Sequence, residues 1–428
     1  MWHCLPATGG PVADSRMSCE LCAVAEMHAT SKKHGSKNQP ARSVALNAYQ
    51  IAARRTDQNA TGGLEGLAFP LLGLFGEVGT LLSALKKKLR DRDSFAGYAD
   101  AVVEEFGDVL WYFSNIASRA SLDLSVLGQL VSRGLDDGAD VEVEHVAAFG
   151  DLQFSRTKRG SPDSSEFESA LIALAGKAGL LLNDFSLGKV TKNRDALSAH
   201  LVEIFRALIL AANMADVDLG MVATRNLVKI NSRWPPDRVY LPLFDEQFRA
   251  NEQLPRKIEL HITEEKLRGK VHVVQRWKGV KLGNSLTDNK LAPDDYRFHD
   301  VFHLAYAAIL GWSPVVRALL KVKRKSEPDV DEAQDGARAI LIEEGVSALI
   351  FHHALRLNSF AGIGSLDYPL LKTVQDFVRG FEVDQCPLWQ WEKAILDGFG
   401  VFRRLKVERR GIVIADLRKH SIAFKPAP

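Results

Sequence analysis

Four acidic side chains in the first third of the chain have the types and spacing to bind a divalent cation. Glu77 lies within one apolar segment, and Glu104, Glu105 and Asp108 share the next. On a helix, Asp108 would share a face with Glu105 and neighbour Glu104, because residues three or four positions apart lie close together. Acids among apolar neighbours are costly to bury unless they are paired or bind a cation. Carboxylates on facing helices suit magnesium, with manganese as an alternative.

A basic cluster follows Glu77 at a distance of about two to four helical turns. Lys86 and Lys87, with Lys88 and Arg90 beside them, could bind the outer phosphates of a ligand that bridges to the metal. The alternative is that the acids form a solvated face that the lysines balance. Apolar neighbours on both sides of the acids favour the metal site.

A second group of candidate ligands lies in the C-terminal half. His299 and His303 are four residues apart and Asp300 precedes His303 by three, which is ligand-like spacing on one helical turn. Glu343 and Glu344 lie in another apolar segment. We interpret these residues as a second hydrolytic or ligand-sensing site. The alternative is that the histidines are hydrogen-bonded core residues.

The elements that must position the first group are helices. Apolar residues recur at helical spacing in residues 44–55, 69–90, 99–120 and 124–133. A second helical block repeats this sequence, since Leu71–Leu82 matches Leu171–Leu182 and Leu122-Asp-Leu124 matches Val217-Asp-Leu219. The predicted fold is therefore mainly α, with two tandem four-helix units packed as an internal pseudo-dimer.

The C-terminal region predicts a mainly helical domain with a small β-sheet. Residues 257–263 and 270–277 read as a hairpin, which residues 412–417 and 421–424 could join as terminal strands. Helices are predicted at 296–310, 314–324, 331–357, 368–380 and 389–405. Paired acids and histidines echo the first unit, so a remote third repeat is a further interpretation.

These patterns divide the chain into five parts. They are a tail (1–42), an acidic helical unit (43–135), a linker (136–165), a degenerate second unit (166–235) and an α+β domain (236–428). The tail lacks a sustained apolar period. It contains Cys19-x-x-Cys22, for which no second pair of zinc ligands is clear.

Composition excludes several classes of function. The 428 residues have a net charge of only +2, which gives no global reason to expect nucleic-acid or membrane-surface binding. No run approaches the roughly 18 apolar residues of a membrane span. We expect a cytoplasmic protein with a small-molecule substrate, no nucleic-acid or membrane partner, and homo-oligomerisation as an open alternative.

The acidic segments resemble a known family. Gly73-Leu-Phe-Gly-Glu77-Val-Gly, the lysines, and Glu104-Glu105-Phe-Gly-Asp108-Val-Leu-Trp-Tyr are similar to the MazG-like all-α nucleoside triphosphate pyrophosphohydrolases, including dCTP pyrophosphatases. The resemblance covers about residues 43–235; in the C-terminal region we identify none. It implies a dimerising four-helix unit with Glu-x-x-Glu on one helix and Glu-x-x-Asp on the next. It also implies magnesium and cleavage between the α and β phosphates.

This resemblance implies that Glu77 begins the first acid pair and that Glu105 and Asp108 form the second. The second acid of the first pair falls on Thr80, which can be only a weak neutral ligand, and Glu104 could compensate. In the second unit the equivalent positions hold Lys177, His200 and Glu203, and a lysine opposes cation binding.

The second unit contributes a different feature. Asn226-Leu-Val-Lys229-Ile-Asn-Ser-Arg233 resembles the family's C-terminal Asn-x-x-Lys-x-x-x-Arg segment, which implies contact with substrate phosphates or sugar. We therefore hypothesise one composite site, with acids and metal from the first unit and Asn226, Lys229 and Arg233 from the second. The alternative is that these are surface charges at the end of a scaffold helix.

Three functions compete. The first is magnesium-dependent hydrolysis of a (d)NTP to a monophosphate and pyrophosphate, with Glu77, Glu104, Glu105 and Asp108 as the catalytic acids. The nucleobase of the substrate would stack on Trp111 or Phe75. The second is a nucleotide-binding sensor whose catalytic pattern has decayed, and the third is a scaffold. A hydrolase whose active site lies in the C-terminal domain is a further alternative.

Overall fold

A computed structural model describes residues 43–59, 61–133, 146–153, 160–267 and 269–427. The predicted tail, with Cys19 and Cys22, and most of the predicted linker lie outside these residues. The described residues from Val44 onward form one compact unit, which contains both the helical region and the C-terminal domain.

The N-terminal region is mainly helical, as the apolar spacing predicts. Its helices are α1 Leu46–Arg55, α2 Ala68–Asp91, α3 Tyr98–Arg119, α4 Leu124–Arg133, α5 Ser165–Ser186, α6 Arg194–Met214 and α7 Leu219–Arg233. The side chains of Ser164, Asn193 and Asp218 accept hydrogen bonds from the first turns of α5, α6 and α7. These caps explain where the last three helices begin.

Two helices of the described chain, Ala68–Ser94 and Arg194–Met214, are long and apolar enough to cross a membrane by length and composition alone. A third candidate would be the bent pair Tyr296–Leu310 and Pro314–Leu320. In the first two helices, residues such as Leu81 and Leu201 are fully buried in the core of the bundle.

Contacts of the first unit recur in the second. The Gln50 side chain bonds to the Leu122 carbonyl and the Leu124 amide, and Gln153 bonds in the same way to Val217 and Leu219. Ala45 and Ala148 form an antiparallel bridge, flanked by the reciprocal bonds Leu46 N to Ala147 O and Phe149 N to Val44 O. The internal repeat therefore extends to tertiary contacts.

The prediction of four helices in each unit is wrong for the second. Its described residues contain three α-helices, and the position of α1 is taken by the short 3-10 helix Phe149–Gln153. Phe149 and Leu152 are buried there, so five residues supply the apolar contacts and the bridging glutamine. Helix α2 packs against α5, while α3 packs against α7 and α6 against α4.

The C-terminal domain contains the predicted sheet. In the described part of this domain, five antiparallel strands lie in the order β3-β2-β1-β4-β5. They are β1 Lys257–Leu267, β2 Lys270–Trp277, β3 Val280–Lys281, β4 Arg410–Asp416 and β5 Ser421–Lys425. The predicted hairpin and its pairing with the terminal strands are confirmed, because β1 pairs with both β2 and β4.

Six α-helices among the described residues complete this domain. They are α8 Asp300–Leu310, α9 Pro314–Leu320, α10 Pro328–Gln334, α11 Ala337–Leu355, α12 Tyr368–Phe377 and α13 Leu388–Glu408. The prediction of a single helix at 331–357 is wrong, because the helix is interrupted at Asp335 and Gly336. Buried Asp335 accepts bonds from Arg324, and a Cβ at Gly336 would lie 2.1 Å from the Glu332 carbonyl oxygen. Arg324 therefore stabilises the fold through this buried ion pair.

Candidate active site

Helices α2 and α3 bring three acids of the sequence-predicted set together. Glu77, Glu105 and Asp108 each place one carboxylate oxygen within 4.8 Å of the others. Their neighbours along the helices, including Val78, Phe106 and Val109, are buried, so the acids lie at the edge of the core. Thr80 is exposed, and its hydroxyl donates to the Gly76 carbonyl at 3.2 Å. The threonine therefore stays outside the cluster.

The acids perturb one another. Burial, with Asp108 and Glu77 nearby, raises the pKa of Glu105 to about 8. Burial and the charge of Asp108 also raise the pKa of Glu77, although a hydrogen bond from Glu105 favours its charged form. The Glu105 carboxyl therefore holds a proton near neutral pH when no cation is present.

Helix α7 of the second unit places two polar side chains on this cluster. The Lys229 Nζ lies 2.8 and 2.6 Å from the two carboxylate oxygens of Asp108 and 3.0 Å from the Glu104 Oε1. The Asn226 Nδ2 donates to the Asp108 Oδ1 at 3.3 Å, and the Tyr49 hydroxyl donates to the Asn226 Oδ1 at 2.8 Å. Acids of one unit and cationic or amide groups of the other thus share one site.

Glu104 shares Lys229 with Asp108 and also contacts the C-terminal domain. The Tyr368 hydroxyl on α12 donates to its Oε1 at 2.8 Å, and Lys372 pairs with its Oε2. Burial alone would raise the pKa of Glu104, but Lys229, Lys372 and Tyr368 outweigh it and lower the pKa to about 2. Glu104 therefore pairs with lysine side chains, and its predicted role as a compensating metal ligand does not match these contacts.

A cavity of about 490 Å³ opens beside the acids. Glu77, Asp108, Lys229 and Arg233 line its polar part. Its aromatic lining consists of Phe69, Trp111, Tyr112, Trp234 and Tyr368. The Trp111 indole donates to Thr56 at 2.9 Å, which fixes its orientation. Phe75 instead faces Gly179 of α5 and does not line the cavity. A flat ring and an anionic tail would both find partners here.

The remaining cations predicted to bind substrate are distributed differently. Arg233 lines the cavity and donates to the Leu366 carbonyl of the C-terminal domain. Lys86 and Lys87 are exposed and line neither this cavity nor the adjoining one of about 210 Å³. Nine residues place Lys86 about 13 Å along α2 from Glu77 and on the opposite face. The structure therefore does not bring these two lysines to the acids.

The equivalent place in the second unit contains an ion pair. Lys177 stands where the first unit has Glu77, and its Nζ lies 3.0 Å from Glu203, which stands in the position of Asp108. His200 contacts Asp184 at 3.1 Å instead of facing the pair. The second unit therefore neutralises its own acid and leaves no carboxylate cluster at that place.

Tyr49, Tyr368 and Lys372 are site residues that sequence reasoning missed. Tyr49 lies on α1, and the other two belong to a domain more than 250 residues away along the chain. A tyrosine and a lysine on a half-buried helix give no signal until that helix is docked. The conspicuous run around Lys86 lies elsewhere.

Gly107 permits the close packing of α3 against α7. A Cβ at this position would lie 3.0 Å from both the Cβ and the Nδ2 of buried Asn226. We expect Gly107→Ala to destabilise the fold by about 1–3 kcal/mol, because the extra methyl group forces the helices apart. Differential scanning calorimetry measures this. Gly176→Ala is the matched control, since nothing lies within 4 Å of its added carbon and a helical alanine should keep or raise the melting temperature. Equal stability of Gly107→Ala and wild type would contradict the packing.

Stability of the metal-free protein should depend on the proton of Glu105. The folded chain keeps this proton up to about pH 8, whereas an unfolded glutamate releases it near pH 4.3. The folded state therefore binds more protons between these values, and its stability falls as pH rises. We expect Glu105→Gln to raise the melting temperature in EDTA at pH 9 by about 3 °C and to have little effect at pH 5. Exposed Glu168→Gln is the control, and equal effects of Glu105→Gln at both pH values would contradict this prediction.

The donor set fits a hard divalent cation. Glu77, Glu105 and Asp108 offer only oxygen ligands, and their mutual repulsion is the kind that a cation relieves. These three residues would hold magnesium. When no cation is bound, the ammonium group of Lys229, which pairs with Asp108, supplies part of the positive charge beside the acids.

The second candidate group is also brought together. His299, Asp300 and His303, at the start of α8, place ligand atoms within 4.8 Å of one another, and Glu343 and Glu344 face them from α11. Glu343 bonds to His303 at 2.9 Å, while Glu344 approaches both histidines. Among the described residues, no other group of this kind lies in the C-terminal domain.

Comparisons with known proteins place the chain in a family. Residues 239–428 match the family described as MazG C-terminal domain, which is the region in which the sequence revealed no resemblance to us. The gene 37 protein of Mycobacterium phage L5 is 36% identical over 90 residues, which cover 20% of this chain and 79% of that protein. No solved structure matches the chain. The C-terminal region matches the MazG C-terminal domain family, and the chain belongs to the family of this phage gene 37 protein.

Proposed function

We propose that the protein is a magnesium-dependent nucleoside triphosphate pyrophosphohydrolase, which converts a (d)NTP and water into a (d)NMP and pyrophosphate. The observation that carries this proposal is the convergence of Glu77, Glu105 and Asp108 with Lys229 beside an aromatic-walled cavity. The MazG C-terminal domain adds kinship with MazG proteins. We further propose that the two halves of the helical region are MazG-like units arranged as a pseudo-dimer, which the repeated contacts of Gln50 and Gln153 support.

Each part of the site has a role in this reaction. Magnesium held by the three carboxylates would polarise the phosphates. Trp111 and Tyr112 would stack on the base, because a purine or pyrimidine ring packs well on a flat aromatic face. Lys229 and Arg233 would bind phosphate oxygens and so align the scissile bond with the acids.

The protein's own acids can manage the proton of the attacking water. The Glu105 carboxyl donates a hydrogen bond to Glu77, so a proton can be held between their oxygens. With magnesium bound, these carboxyls would be deprotonated, and one of them would accept the proton of the attacking water. We assign this function to the Glu105 and Glu77 pair.

The experiment is a product analysis. Purified full-length protein is incubated with a panel of NTPs and dNTPs, with and without magnesium, and pyrophosphate and orthophosphate are measured separately. The proposal expects pyrophosphate with a nucleoside monophosphate, and only when magnesium is present. Orthophosphate with a nucleoside diphosphate would overturn it, as would no turnover of any member of the panel.

A nucleotide-binding sensor is the second candidate, because Lys229 already neutralises Asp108 and Thr80 replaces an expected acid. In a sensor the ligand would bind without being cleaved. Thermal shifts with nucleotide and magnesium, combined with an absence of turnover, would favour this alternative. A shift with turnover would exclude it.

A further inference from the structure

The buried histidines of the C-terminal domain are oriented as metal ligands. The Nδ1 of His303 lies 2.9 Å from a carboxylate oxygen of Glu343, and the Nδ1 of His299 lies 2.9 Å from the Tyr296 carbonyl oxygen. Both partners are acceptors, so both Nδ1 atoms must carry hydrogen. The Nε2 lone pairs of the two rings are then free to bind a metal, and both Nε2 atoms face the same group of acids.

Buried polar groups fix this orientation. Glu343 is fully buried, and it also accepts bonds from the Ser313 hydroxyl at 2.6 Å and the Val315 amide at 2.8 Å. The ring of Tyr296 stacks on His299 with centroids 4.3 Å apart. Gln275 donates to one oxygen of Asp300 and leaves the other beside His299. Such outer partners are what metal-binding histidines and carboxylates have.

One buried atom of the cluster has no hydrogen-bond partner among the described atoms. The Nε2 of His303 is buried, with the side chain 0% exposed, and among the described atoms no hydrogen bond reaches it. Its nearest acid is Glu344, whose Oε2 lies 3.5 Å away. A buried, unpaired ring nitrogen is costly, which indicates that something else binds there.

The spacing fits a metal better than direct hydrogen bonds. The Nε2 of His299 lies 3.3 Å from the Asp300 Oδ1 and 3.8 Å from the Glu344 Oε2. Ligands bound tetrahedrally at about 2.1 Å are separated by about 3.4 Å. We infer that His299, Asp300, His303 and Glu344 bind a divalent transition-metal ion such as Zn²⁺, with Glu343 as a positioning residue.

The ligand types set the class of metal. Two imidazole nitrogens and two carboxylates suit Zn²⁺ and its first-row neighbours, whereas the all-oxygen cluster of the helical region suits magnesium. Three ligands lie in the interior and Glu344 is 40% exposed, so the ion would reach the site from the Glu344 side. The ion would link α8 to α11 and stabilise the domain.

A proton is the competing occupant. Burial would lower the pKa of His303, but Glu343 and Glu344 raise it to about 10, so an imidazolium can pair with both acids when no metal is bound. A salt-bridged imidazolium needs no metal and would bind none. Direct measurement of metal therefore separates the two occupants.

Full-length protein is stripped of metal with a chelator, reloaded with Zn²⁺ and passed through gel filtration. The metal that stays bound to each chain is then measured. We expect one Zn²⁺ per chain to remain after gel filtration, detected by mass spectrometry, and visible absorption bands when Co²⁺ replaces Zn²⁺. Glu344→Gln should weaken Zn²⁺ binding at least about 10-fold, since a ligand is lost. This variant lies at the exposed edge and should fold, whereas a change at buried His303 could disrupt packing.

Two controls make the result specific. His352→Gln changes an exposed histidine on the same helix and should bind Zn²⁺ as wild type does. Glu105→Gln should also retain Zn²⁺, because it changes only the acid cluster on α3. The inference is overturned if wild type retains no Zn²⁺, if Glu344→Gln retains it fully, or if Glu105→Gln alone removes it.

Discussion

Asp108→Asn is expected to lower kcat for pyrophosphate release by about 10²- to 10³-fold, a loss typical when one group that stabilises transition-state charge is removed. Asp108 is central because it belongs to the carboxylate cluster and also accepts both short bonds from Lys229. Asparagine keeps the shape but removes the charge, so cation binding and the position of Lys229 change together. Initial rates of pyrophosphate release at saturating magnesium and nucleotide measure the effect.

The matched control is Glu203→Gln, at the equivalent place in the second unit. Glu203 pairs with Lys177 and lies outside the cavity beside the first cluster. Its substitution should leave kcat and KM unchanged. If Asp108→Asn turned over nucleotide like wild type while its melting temperature was normal, the cluster would not be the active site.

Lys229→Met should have the second large effect, a fall in kcat/KM of about 10- to 100-fold, since one hydrogen bond to a charged group contributes about 1.5–3 kcal/mol. Methionine preserves the apolar stem of this mostly buried side chain but cannot bind phosphate. The loss should be largest for triphosphates. Steady-state kinetics measure this loss, with the nucleoside triphosphate as substrate and the nucleoside monophosphate as product inhibitor.

Lys177→Met controls for the loss of a lysine from the bundle, because this residue pairs only within the second unit. Its kinetics should equal those of wild type. Unchanged kcat and KM in Lys229→Met would contradict a composite site built from both units, even if the product analysis showed pyrophosphate release.

Local spacing predicted the acidic cluster because the relation between residues three positions apart on a helix is fixed. Glu105 and Asp108 therefore share a face wherever the helix lies, and apolar neighbours of Glu77 indicated that it points toward the same interior. A different pattern, short runs of β-branched residues with partial alternation, placed the hairpin and the terminal strands. Where chemistry depends on helical phase within one or two turns, the sequence was sufficient.

Longer relations were not readable in this way. Glu104 is adjacent to Glu105 in sequence, yet a 100° step on the helix turns it toward Tyr368 and Lys372. No local pattern indicates that α12 docks there. Lys86 and Lys87 have a different explanation. They were chosen by charge, without the helical phase that turns Lys86 to the face opposite Glu77.

The break at Gly336 shows a similar limit. Apolar spacing continues across residues 331–357, so local propensity favours one helix. Buried Asp335 must accept bonds from Arg324, and this tertiary requirement interrupts the helix. Apolar spacing indicates the helix that this segment prefers, whereas the buried ion pair of Asp335 with Arg324, outside the segment, determines where the helix begins.

The Ala45 and Ala148 bridge has a consequence for how this protein can change. In an assembly of two identical chains, every substitution appears twice, so a lysine that improves one pocket is also inserted into the other. Here the two halves are encoded separately within one chain, and this bridge and the packing of their helices join them. Lys177 can therefore occupy one half while Glu77 remains in the other, and each half is free to specialise without damaging its counterpart.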